Sequence, residues 1–160
     1  MRAARLPFIA SACLFCAAAA AQAPAVPQYG ANVTHEQARK VLAGAIAESR
    51  KQGLPMAVAV VDTAGQLVAF ERMDNTQTAS TGVAQDKAVS AAMYRRPTKV
   101  FQDLVAGGGV GMRVLTLRGA TAVEGGLPIT VDGKIIGAIG VSGGSSEQDG
   151  VVAKAGLDAK

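Results

Sequence analysis

The sequence predicts an α+β domain: an antiparallel sheet of about five strands sandwiched by helices. Three observations predict it. Two hairpin signals stand in the chain, one at 56–73 and one at 127–141, and hairpins join neighbouring antiparallel strands. Helical periodicity appears before, between and after them. A sheet with one or both faces apolar must be covered, and these helices are the available cover. The 160 residues suit a single domain.

The N-terminus has the form of a secretory signal peptide, residues 1–23. Arg2 and Arg5 make a basic start, 6–21 is apolar, and Ala21-Gln22-Ala23 is a small-x-small cleavage site. The expected location is therefore periplasmic or secreted. Cys13 and Cys16, the two cysteines of the chain, would leave with the peptide, so the mature protein has no thiol chemistry. Loss of the two arginines takes the formal net charge from +4 to +2, since all twelve acids remain. No basic run appears, and nucleic acid is not an expected partner.

Residues 24–33 read as a flexible, Pro-containing lead-in, and 34–160 as the domain. Thr34 and Gln37 fit a capping box. Ala38, Val41, Leu42, Ala45, Ile46 and Ser49 follow at helical spacing, with Gly53 and Pro55 to stop the helix. In the first hairpin, Asp62 and Gly65 flank a type I turn. Arg72, Asp74 and Asn75 close the return strand, as binding residues or as an exposed salt bridge. Residues 78–95 form a helix rich in small side chains (Ala79, Ser80, Gly82, Ala84, Ala88, Ala91, Ala92), able to lie close on the sheet. Pro97 ends it, and Thr98 is the expected cap of a short helix over 100–106. Gly107, Gly108 and Gly109 break that helix, and 110–118 reads as a loop with some strand character. A short strand is expected at 121–123.

The stretch 124–150, EGGLPITVDGKIIGAIGVSGGSSEQDG, organises the rest. Asp132-Gly133 favours a type I′ turn, because both central residues need positive φ. The return strand is apolar throughout, and Gly137 and Gly140 within it predict close approach of another backbone, a helix or a ligand. Ser145 with Gln148, or Ser146 with Asp149, fits the cap of the last helix. The Gly-rich turn before it is either an anion site made of free N–H groups or a plain tight connection.

This stretch resembles the C-terminal signature of the GlcG/HbpS-type haem-binding family, also found as the C-terminal domain of PduO-type proteins. AVAVVDTAGQLVAFERMD (57–74), DKA (86–88) and RPT (96–98) agree in order and spacing, so the resemblance spans about 34–158. It implies a profilin-like fold, a five-stranded antiparallel sheet between helical layers. It also implies haem or a related tetrapyrrole as cofactor, with a membrane sensor or transport partner for the haem.

The residues themselves exclude several chemistries. One histidine and no mature cysteine exclude a protein-made zinc site. No Ser sits in a nucleophile elbow, and the Gly runs match neither a P-loop nor a dinucleotide fingerprint. Candidate iron ligands are His35, Met56, Met73, Met93, Met112, Tyr29 and Tyr94, with His35 the best type. His35 is either that ligand or a solvated residue of the first helical turn. Arg96, beside Tyr94, meets a propionate or merely ends a helix. The resemblance places the DKA lysine, Lys87, near the haem cleft; its alternative is an ion pair with Asp86 or another acid. Gly107, Gly108 and Gly109 would form the flexible rim of that cleft. The expected function is a secreted or periplasmic haem-binding protein serving haem sequestration, transport or redox sensing. Two alternatives stay open: a domain acting on small organic acids or a corrinoid, and a non-catalytic module of a homo-oligomer.

Overall fold

The structure, a computed structural model, describes residues 26–159; the expected signal peptide, with Cys13 and Cys16, lies outside them. In chain order the elements are α1 (His35–Gln52), β1 (Ala57–Asp62), β2 (Leu67–Arg72), α2 (Ser80–Tyr94) and α3 (Lys99–Ala106). A 3₁₀ helix (Gly109–Thr116) then leads to β3 (Gly126–Val131), β4 (Lys134–Ser142) and α4 (Ser146–Asp158).

Local chemistry explains most boundaries. At α1 the capping box forms in both directions: the Gln37 N–H donates to Thr34 Oγ1 at 3.2 Å, and the Thr34 N–H to Gln37 Oε1 at 2.9 Å. Gly53 ends the helix in the left-handed conformation, φ 66°. At α4 the box is Ser145 with Gln148. Asp132 and Gly133 both take positive φ, 49° and 72°, which is the backbone of the expected turn.

All strand pairs are antiparallel, in the order β2-β1-β4-β3. The sheet thus has four strands where five were expected. The missing strand is 121–123: the Thr121 N–H is taken by Ser90 Oγ (3.0 Å) and the Glu124 N–H by Gln102 Oε1 (2.8 Å), so helix side chains replace a ladder there. The lead-in runs beside the start of β4 instead, where β1 has ended. The Ile135 N–H donates to Gln28 O at 2.8 Å, the Gly30 N–H to Ile135 O at 2.7 Å and the Val33 N–H to Ile136 O at 2.7 Å. The segment expected to be flexible is therefore bonded to the sheet over 28–33.

Two further expectations are corrected. The 110–118 loop is largely a 3₁₀ helix, because Gly108 and Gly109 reverse the chain at positive φ and Gly111 lies where a Cβ would overlap the Leu104 carbonyl. Thr98 makes no side-chain cap bond to α3; its N–H and Oγ1 bond Gly126 O and N, each at 3.0 Å, and so pin the start of β3.

The helices form two unlike layers. On one face α2 lays Ala84, Ala88, Ala91 and Ala92 on Ala57, Ala59, Val61 and Ala138. Gly140 completes this contact: a Cβ there would overlap the Ala84 carbonyl oxygen and come within 2.5 Å of the Ala88 nitrogen. The other face is covered by α1 and α4 through larger aliphatics, Val41, Ile46, Val58, Val60, Ile139 and Val152 among them.

Candidate functional site

His35 opens α1, directly after the Thr34 cap, and Arg39 and Leu42 follow one and two turns later on the same side. These side chains border a groove of about 420 Å³ whose other wall is β2, with Val68, Ala69 and Glu71. The wall owes its shape to a β-bulge. Val60 pairs with Ala69 but Val61 with Leu67, which leaves Val68 unpaired and turns both Val68 and Ala69 toward the α1 layer. β2 is an end strand, so the groove opens at the rim of the sheet.

The electrostatics of this groove are simple. Among the described residues neither His35 nor Arg39 has a hydrogen-bond or ion-pair partner, so both imidazole nitrogens and the whole guanidinium fork are open. The acids nearby are engaged with other cations: Glu36 meets Lys40 at 3.1 Å and Glu71 meets Arg50 at 3.8 Å. An open imidazole and an open arginine beside Leu42, Val68 and Ala69, with Glu71 on the same wall, suit a ligand that carries a metal, an anionic edge and some apolar surface.

Lys87 lies elsewhere. Its side chain is 1% exposed and reaches from α2 past the end of the sheet to the first turn of α4. There Nζ donates to Asp149 Oδ2 at 2.6 Å and to Val141 O at 3.1 Å. Room for it comes from Gly125, where a Cβ would stand 2.9 Å from Nζ, and from Gly126, where one would overlap the Lys87 carbonyl. Burial pushes the Asp149 carboxyl above its ordinary value, against the Lys87 ammonium and the Gly144 and Gly143 N–H groups that pull it down. Of the two readings of Lys87, the geometry is that of an ion pair joining two helical layers, with Asp149 rather than Asp86 as partner.

The same carboxylate decides the Gly-rich turn. Asp149 Oδ1 accepts the Gly144 N–H at 3.0 Å, and the Ser145–Gln148 box takes the next donors, so the chain's own side chains fill the anion position.

The remaining candidates gather at the end of α2. Tyr94 donates its hydroxyl to Arg118 O at 2.7 Å and stacks edge-on to Phe101, with centroids 5.1 Å apart. Arg96 Nε donates to Tyr94 O at 3.0 Å, and its guanidinium covers the Phe101 ring. Gly107, Gly108 and Gly109 join α3 to the 3₁₀ helix. None of these lies with His35, because α1 and α2 cover opposite faces of the sheet. Met56 is core, and Met73 packs against that core. Tyr29 donates its hydroxyl to Ala92 O at 2.9 Å. Sequence reasoning missed Arg39, the Val68 bulge and Asp149 as the partner of Lys87. For Arg39 a signal existed, its i, i+4 spacing from the single histidine; for the other two none did.

Among the described residues no group of three or more His, Cys, Asp or Glu side chains stands together, and no helix is long and apolar enough to cross a membrane.

Comparison with known proteins gives a consistent result. The family model described as "Haem degrading protein HbpS-like" matches residues 33–158. Protein GlcG of Escherichia coli (strain K12) is 38% identical over 110 residues, which is 69% of this chain and 81% of that one. A double mutant of HbpS from Streptomyces reticuli superposes with a TM-score of 0.74 at 29% identity, covering 89% of this chain and 96% of that one. A crystal structure of a PduOC:haem complex superposes with a TM-score of 0.73 at 26% identity, covering 81% and 95%.

Proposed function

The chain belongs to the HbpS-like family, and from that premise we propose that it binds haem in the groove between α1 and β2, with His35 as the iron ligand. The observation that carries the reading is that the single histidine of the chain, with no partner among the described residues, borders a groove in which Leu42, Val68 and Ala69 stand beside polar side chains. The PduOC:haem complex, which shares this fold, supports haem as the ligand class. Imidazole is a common axial donor, and the groove offers it beside Leu42, Val68 and Ala69. Bound haem would supply the iron and its ligand and redox chemistry. The chain's residues would bind the macrocycle by burying its apolar surface and orient it through the imidazole.

Together with the expected export signal, this makes the protein a periplasmic or secreted haem binder, acting in haem sequestration, transport or redox sensing. Assembly into a homo-oligomer accompanies this reading. α3 and the 3₁₀ helix expose Leu104 at 45%, Val110 at 75% and Leu115 at 60%, the kind of apolar surface that subunit contacts cover.

Titration of the mature protein with ferric haemin, followed at the Soret band, tests the function. The expected result is saturable binding with a Soret shift that changes in His35→Ala. Binding weaker than about 100 µM, or roughly 5.5 kcal/mol, would overturn the haem reading. Tight binding of hydroxocobalamin in place of haemin would favour the corrinoid alternative.

A further inference from the structure

We infer that Arg39 is the propionate-holding residue of the haem groove and sets the orientation of the bound macrocycle; this rests on the assignment of the groove to haem. His35 and Arg39 stand four residues apart on α1, which places their Cβ atoms about 5–6 Å from each other on one side of the helix. Both border the same groove. A porphyrin with two propionates has a similar layout: a metal at its centre and carboxylates on one edge. An i, i+4 His–Arg pair can therefore meet metal and carboxylate on a single molecule.

The charge distribution makes Arg39 the residue for this task. Arg39 is exposed and makes no ion pair among the described residues; Glu36 is held by Lys40 at 3.1 Å, and Glu71, on the facing wall of the groove, stands 3.8 Å from Arg50. Its fork is free to take a carboxylate through two parallel bonds, which fixes direction as well as position. Of the rest of the groove wall, Leu42, Val68, Ala69 and Phe70 offer carboxylates nothing and Glu71 repels them, which leaves Arg39 to hold them. An orientation that satisfies both ends would bring the iron to His35 and the propionate edge toward Arg39. Lys87, the other basic residue expected to serve a propionate, is closed off by Asp149 on the far side of the sheet.

The experiment compares two ligands and four proteins. Parent, Arg39→Ala, Arg39→Lys and His35→Ala are titrated with ferric protohaemin and with its dimethyl ester, whose propionates carry no charge. Arg39→Ala should weaken protohaemin binding about 10- to 100-fold with the Soret maximum unmoved, and Arg39→Lys should restore part of the loss. The ester should bind parent and Arg39→Ala alike. The proposal is overturned if Arg39→Ala binds protohaemin as the parent does, or if it loses the ester by the same factor. The two levels separate cleanly. A Soret band that moves in His35→Ala while Arg39→Ala is neutral removes Arg39 alone; a band that stays put in His35→Ala removes the groove assignment and this proposal with it. Equal thermal melting of parent and Arg39→Ala in the absence of haem checks that the exposed substitution leaves the fold intact.

Discussion

The two faces of the sheet are built on opposite rules. Under α2 the contact is made of alanines, with glycine at Gly126 and Gly140, and backbones lie so close that added Cβ atoms would overlap carbonyl oxygens. Under α1 and α4 the contact is made of Val, Ile and Leu, and at its β2 rim it is left open. A face with no spare volume admits no guest; a face with an unfilled rim does. Both carry a basic residue that invites a functional reading, Lys87 on one and Arg39 on the other. Burial separates them: Lys87 is consumed by structure, whereas Arg39 is not.

The comparison can be broken first at Lys87. Lys87→Ala leaves the Asp149 carboxylate buried without its ammonium, so it should destabilise the haem-free protein by about 3–5 kcal/mol in denaturant melts. A cost below about 1 kcal/mol would mean that the pair is more open to water than its burial implies. Gly140→Val comes next, at the top of or above the roughly 1–3 kcal/mol range of overpacking, because the obstruction is α2 backbone that cannot rotate away. On the other face Thr34→Ala should cost about 1 kcal/mol by removing half of the capping box that positions His35. Glu71→Gln should change stability by less than about 0.5 kcal/mol, since its contact with Arg50 is long and solvated.

Titration sharpens the same contrast. Because burial raises the Asp149 carboxyl in the fold, the folded state holds that proton at a pH where the unfolded chain has released it. Its contribution is full below the ordinary Asp value of 3.8 and is lost as pH rises through the raised folded value. Stability measured against pH should therefore fall across that window in the parent relative to Asp149→Asn. A parent that instead gains stability there, relative to the variant, would show that pairing with Lys87 outweighs burial.

What the sequence disclosed follows from range. Thr34 with Gln37, Ser145 with Gln148 and Asp132-Gly133 are contacts within a few residues, and each forms as read. Gly140 was also readable, because a glycine inside an apolar strand needs a reason. Lys87 and Asp149 are 62 residues apart, and nothing in either neighbourhood announces the other. The strand expected at 121–123 failed for the same reason: Ser90 and Gln102, far along the chain, capture its N–H groups. The lead-in pairs with β4 only because β1 stops at Asp62, and the Val68 bulge exists only in the register of β1 with β2. At the site, His35 was legible as the single strong metal donor, and the groove it borders was not.

The central claim is that haem lies on the α1 face and not the α2 face. Ferric haem broadens nearby amide signals, so ¹H–¹⁵N spectra of the protein with and without haemin test it directly. The account predicts selective loss of the Arg39, Leu42, Val68 and Ala69 signals, with those of Ala84, Ala88 and Gly140 retained. Broadening centred on Ala84, Ala88 and Gly140, with α1 and β2 untouched, would contradict it.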